Sequence, residues 1–187
     1  MLSLVYVDSQ SDPETSAALS YSVRMKRTGD RVVALAVGGV EVRHILSSFL
    51  GFGVDEAYLV TGEDVIGGDV FTHARIIRAF LDTADEDHMV FFDGDPVLPS
   101  VLSGMMDSQQ FLYIGSMSFD GGIQCVSDYG TEERRCEVPP GSVLSFLPGR
   151  YRNQHVSGNG DVKTLDRVAL NLGRFSVGEA GSKIERR

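Results

Sequence analysis

Short apolar runs alternate with stretches of helical period along the first two thirds of the chain. Residues 2–7 form an apolar run that stops at Asp8-Ser9. Asp12 as an N-cap with Pro13 at the first helical position predicts a helix from there to about Thr28. Gly29-Asp30 interrupts, residues 32–37 read as a fully buried strand, and Gly38-Gly39 opens a helix on which Val42, Ile45, Leu46, Phe49 and Leu50 keep helical spacing. Gly51 and Gly53 end it. Residues 57–60 are a third strand, and Asp69 caps a helix carrying Val70, Ile76, Ile77, Phe80 and Leu81. After a polar break at 82–88 come a fourth strand (89–92), a helix over 96–106 with Pro99 in its first turn, and a fifth strand (110–115). Strands spaced by helices in this way are joined by right-handed crossovers, which gives an α/β fold: a three-layer, open, mainly parallel sheet with helices on both faces.

From Ser116 the pattern becomes all-strand and predicts an antiparallel β-hairpin extension. Asp120-Gly121 and Gly130-Thr131 are turn signals. A two-residue loop at Gly130-Thr131 makes facing residue numbers sum to 261, so Cys125 faces Cys136 and Ile123 faces Val138. One face is then Ile, Cys, Cys, Val, and the other carries Gln124, Val126, Arg135 and Glu137. In this register the cysteines form a hydrogen-bonded pair, which suits a disulfide poorly, and they read as buried thiols. The apolar face of this ribbon, 116–138, needs a cover and is the candidate contact surface for a partner. Residues 142–147 are a further strand, 150–161 a polar loop, 168–177 a possible edge strand and 178–187 a flexible tail. The organisation expected is one domain over 1–152, followed by a linker with that edge strand and tail over 153–187.

Composition narrows the partners. The formal charge is −9 with only three lysines, Lys26, Lys163 and Lys183. Nucleic-acid affinity depends on clustered cations, and the pairs Arg134-Arg135 and Arg186-Arg187 do not supply enough, so no nucleic acid is expected. The N-terminus lacks a basic signal-peptide region and no apolar run approaches the roughly 18 residues of a membrane span. No membrane association and a cytoplasmic location follow as expectations.

Four enzyme-like or ligand-binding signals compete with a structural reading. The stretch VFFDGDPVL, residues 90–98, resembles the opening of an aspartate-nucleophile phosphatase, with Asp93 as nucleophile and Asp95 as acid and base. That chemistry also needs a cation, from Arg134 or Arg150, and a second acidic pair for magnesium, from Asp161 and Asp166. The strand in question follows three strand-helix units instead of opening the domain, and the same letters describe a buried strand running into a turn. A phosphoreceiver reading has only Asp8, Thr61 and Ser116 to offer and lacks its lysine. His44, His73, His88 and His155 are scattered without metal-ligand spacing and read as surface or helix-face residues, so no metal is expected. Gly38-Gly39-Val40-Glu41 sets an acid where a helix N-terminus would face a phosphate.

The stretches GDRVVALAVGG (29–39), LGFGVDEAYLV (50–60) and VLSFLPGRYRN (143–153), in that order, resemble the N-terminal domain of electron transfer flavoprotein subunits. The closing Leu147-Pro148-Gly149-Arg150-Tyr151 is more similar to the alpha subunit than to the beta. The resemblance covers roughly residues 2–152 and implies a fold of the adenine nucleotide alpha hydrolase type. It also implies a scaffold and not a catalyst: an accessory domain that assembles with itself as a homo-oligomer or with a flavin-bearing partner subunit. The flavin-binding domain that follows in the alpha subunit has no counterpart here, so no cofactor is expected on this chain alone and FAD would come through a partner. The beta subunit's domain holds an AMP through a loop after the fourth strand. The comparable loop here, Asp93-Gly94-Asp95-Pro96, lacks its threonine-glutamine part. A stand-alone adenine-nucleotide-binding domain is the alternative, using Asp8, Ser9, Gly38, Gly39, Asp93, Gly94 and Asp95, which fall at the carboxyl ends of the strands.

Overall fold

A computed structural model describes residues 1–173 apart from 64, 120, 150, 157 and 159. Nine strands form one sheet in the order β7-β6-β5-β8-β4-β1-β2-β3-β9. They are β1 (Leu2–Val7), β2 (Arg31–Val37), β3 (Glu56–Val60), β4 (His88–Asp93), β5 (Gln110–Ser118), β6 (Gln124–Asp128), β7 (Glu133–Glu137), β8 (Val143–Phe146) and β9 (Val162–Leu165). Pairing is parallel throughout except at β5/β6 and β6/β7. The helices are α1 (Ala17–Met25), α2 (Arg43–Leu50), α3 (Val70–Asp82) and α4 (Val97–Met106).

Strand alternation sends successive apolar side chains to opposite faces, and both faces are covered. Val5, Val7, Ala34, Ala36, Met89, Phe91 and Phe146 pack with α1 and α2. Leu4, Val33, Leu35, Val90, Phe92 and Val143 pack with α3 and α4. This is the three-layer, mainly parallel α/β arrangement read from the sequence.

Local signals were sound where a residue's partner is close in the chain. Asp69 accepts from Thr72 N at 2.9 Å and starts α3. The hairpin register agrees with the sequence expectation: Cys125 faces Cys136 and Val126 faces Arg135. Gly130 has φ +80 while Thr131 stays out of the left-handed region, as a two-residue turn with glycine first requires. Of the expected Asp120-Gly121 turn, Asp120 lies outside the described residues.

Three expectations are corrected. α1 starts at Ala17 and not at Pro13, because Asp12 is spent on a turn, accepting from Glu14 N (3.1 Å) and Thr15 Oγ1 (2.9 Å), while Ser16 Oγ accepts from Leu19 N at 3.0 Å as the N-cap. The edge strand found is β9 at Val162–Leu165; of the expected strand at 168–177, residues 168–173 form none, turns running over 167–171, and 174–177, like the tail at 178–187 with Lys183 and the Arg186-Arg187 pair, lie outside the described residues. Lys163 holds β9 to β3, donating to Glu56 at 2.5 Å, and Lys163, Tyr58 and Arg31 together hold the Glu56 carboxyl down at about 2. The ribbon's apolar face is no exposed contact surface, since β6 and β7 extend the sheet and turn Cys125 and Val138 into the core while most of β7 stays exposed. Burial lifts the Cys125 thiol to about 11, which leaves it a small hydrophobe.

Candidate functional site

The carboxyl ends of β1, β4 and β8 face a cavity of about 330 Å³. Open parallel sheets take ligands at such a place. Asp8, Asp93 and Gly94 line it, together with Gln10, Ser11, Asp12, Thr15, Ser16, Pro148 and Gly149. Ser9 and Asp95 share the loops of Asp8 and of Asp93-Gly94 without being among its lining, and Gly38 and Gly39 belong to the neighbouring loop after β2. Gly38 N instead donates to Val60 O at 3.0 Å, and Asp95 Oδ1 accepts from Val97 N at 2.8 Å at the start of α4.

Asp93 decides what this cavity can accept. Its outer side is open to the cavity, but its two oxygens are turned onto the start of α1. Oδ2 accepts from Ser16 Oγ at 2.5 Å and Oδ1 from Ala18 N at 3.0 Å. A helix N-terminus has unpaired N–H groups and a partial positive charge, the combination that elsewhere receives a phosphate. Here a carboxylate of the same chain takes that position. Burial pushes the Asp93 carboxyl above its usual range, while Ser16 and the Ala18 and Ala17 N–H groups pull it the other way.

The remaining acids are also engaged locally. Asp8 Oδ1 accepts from Gln10 N (2.8 Å) and Ser11 Oγ (3.0 Å), and Asp12 is held by its own turn. On the next loop, a Cβ on Gly39 would run into the Glu41 carboxylate, so an acid covers that backbone too. Among the described residues lining the cavity none is a cation. No three His, Cys, Asp or Glu residues gather to hold a metal among the described residues.

The phosphatase constellation does not assemble. Arg134 lies on β7 at one edge of the nine-stranded sheet, whereas Asp161 and Asp166 flank β9 at the other edge. Arg150 lies outside the described residues. The hydroxyl beside Asp93 is that of Ser16, and it serves the helix cap.

Two features escaped sequence reasoning. Asn153 donates through Nδ2 to Pro13 O and Ser16 O, both at 2.8 Å, so the loop after β8 straps the start of α1. His73, read as a helix-face residue, is half-buried, with Nδ1 2.7 Å from Tyr6 Oη. Burial lowers the His73 pKa, against the raising influence of Asp69, and burial also raises that of the Tyr6 phenol. Both are therefore uncharged near neutrality and share one hydrogen bond between Oη and Nδ1. Because the folded His73 pKa lies below its unfolded value, its contribution is present above the ordinary 6.5 and is lost as pH falls through that value toward the folded one. A urea titration series should show stability declining over that window, and His73→Phe should remove the decline. An unchanged slope in the variant would remove His73 as its source.

An open, mainly parallel α/β domain whose carboxyl-end crevice is acidic and self-capped is the class that these observations define. No protein-family profile matches the chain. It is 25% identical over 117 residues to the electron transfer flavoprotein subunit beta of Thermoanaerobacterium thermosaccharolyticum, a match taking in 59% of this chain and 45% of that protein. The chain thus spans less than half the length of the curated relative that it matches. The similarity supports an electron transfer flavoprotein relationship in general terms, and the aligned relative is a beta subunit, not an alpha subunit. No helix among the described residues is long and apolar enough to cross a membrane.

Proposed function

We propose that this chain is a scaffold or accessory subunit of the electron transfer flavoprotein kind. In this reading it has no flavin site of its own and assembles with itself or with a flavin-bearing partner in the cytoplasm. The closing stretch Leu147 to Tyr151 favours kinship with the alpha subunit and the aligned relative favours beta; the scaffold reading is the same for either. The observation that carries it is the Asp93 carboxylate seated on α1. That seat is where a domain of this type would offer N–H groups to an adenylate phosphate, and three carboxylates without a lining cation make the cavity hostile to a second anion. The residues present do not fit AMP, nor the pyrophosphate of FAD, and FAD would reach the assembly through the partner.

The visible absorption spectrum of the freshly purified full chain tests this. The expected spectrum is colourless for the chain alone. Stoichiometric flavin absorption that co-purifies with the isolated chain would overturn the reading.

A further inference from the structure

The ribbon's apolar face is buried, but its outer edge is open. β7 closes one end of the sheet, and all of its residues except Cys136 are exposed. Tyr129 N donates to Glu132 O at 3.0 Å across the hairpin turn, and Val138 N donates to Ile123 O at 2.8 Å at its base. Between those two bonds the antiparallel alternation turns the even-numbered residues of β7 toward β6. Glu133, Arg135 and Glu137 therefore present their N–H and C=O groups to the open edge, and such a row is a template for a further strand.

Charge on an edge strand commonly blunts it, and Glu-Arg-Arg-Cys-Glu is charged at every position but one. The signs balance, however. Arg134 pairs with Glu132, whereas Arg135 and Glu137 have no ion-pair partner among the described residues. A second copy can join antiparallel at this edge only through the odd-numbered residues, so the two-fold axis must pass through a residue of β7. An axis at Glu133, Arg135 or Glu137 sets that charge on its own image. An axis at Arg134 sets Arg134 on its image in the closer, non-hydrogen-bonded kind of pair. An axis at Cys136 alone sets no like charges directly opposite, and it places Arg135 of each copy opposite Glu137 of the other.

We propose that two copies of this chain join antiparallel along β7 about an axis at Cys136, so that one continuous sheet runs through the dimer. The inference rests on the scaffold reading above and supplies the surface for its assembly with itself. The net charge of −9 opposes any pairing of two copies, but 0.1 M salt confines that repulsion to about 10 Å. The charges along the edge then select both the register and the occupant, since a strand without this order of signs lacks the match. The edge is short, so the dimer is weak and forms as concentration rises.

Sedimentation velocity on the full chain over a wide concentration range is the test. The wild type should move from the mass of one chain to that of two as concentration rises. Arg135→Glu sets acid against acid twice in each dimer and should weaken it by about 10-fold or more, as should Glu137→Arg, which sets base against base. The double exchange, Arg135→Glu with Glu137→Arg, restores both pairs and should bring dimerisation back to within about threefold of wild type, all four proteins keeping one circular dichroism spectrum. A wild type of one-chain mass at every concentration would overturn self-association together with this edge, while leaving assembly with a flavin-bearing partner standing. A dimer that either single exchange leaves intact, or that the double exchange fails to restore, would overturn this edge and its register.

Discussion

Phe146→Ala is expected to lower the unfolding free energy by about 3–5 kcal/mol, with a fall in Tm on the order of 10 °C. The Phe146 ring is fully buried, lies against Phe91 with centroids 6.1 Å apart and planes 3° apart, and stacks on Tyr21 of α1 at 5.1 Å. It stands in β8, directly opposite Asp93 in the register with β4, and its carbonyl accepts from Gly94 N at 2.9 Å. Truncation would leave a cavity under the one helix that the crevice acid holds. Phe146→Leu keeps most of the volume and should cost about 1–2 kcal/mol. Denaturant melts of the three proteins measure this. A loss below about 1 kcal/mol for alanine would show that the aromatic layer does not anchor α1.

Asp93→Ala should cost about 1–2 kcal/mol at neutral pH, the range for losing a helix-capping acceptor. The lower end is expected, because the side chain is partly open to water and the cost of burying its charge opposes its hydrogen bonds. The pH dependence has a definite sign. Burial raises the folded pKa above the ordinary 3.8, so the native chain holds this proton more firmly than the unfolded one. The contribution linked to Asp93 is therefore largest below 3.8 and declines as pH rises through the folded value, opposite to the usual carboxylate. Asp93→Asn should flatten that limb while losing less stability than alanine. Chemical melts between acid and neutral pH would show it, and an identical pH profile for wild type and Asp93→Asn would contradict it.

The same residue marks how far the sequence could be read. Period-two alternation and a two-residue loop fix the β6/β7 register from neighbouring residues, and Asp69 announces α3 from three residues away. The start of α1 could not be read so. Asp12-Pro13 is the better local cap, but a carboxylate 77 residues further along selects Ser16 instead, and no local pattern carries that information. The place of β8, between β5 and β4, is long-range in the same sense. β9 escaped because Val-Lys-Thr-Leu at a sheet edge needs few apolar positions: Glu56 and Tyr58 receive its lysine, and Arg43 donates to Val162 O at 3.0 Å. Asp8, Asp93 and Gly94 line one cavity because strand ends meet there, whereas Ser9 and Asp95 sit on the same two loops without lining it and Gly38 and Gly39 belong to the loop after β2.

Isothermal calorimetry with AMP, ATP and FAD, with and without magnesium, tests most directly whether α1 has its anion already. Flat traces for all three nucleotides on the wild-type chain are the predicted result. A saturable heat with any of them would mean that the Asp93 carboxylate yields its seat to a phosphate, and the crevice would then be a nucleotide site.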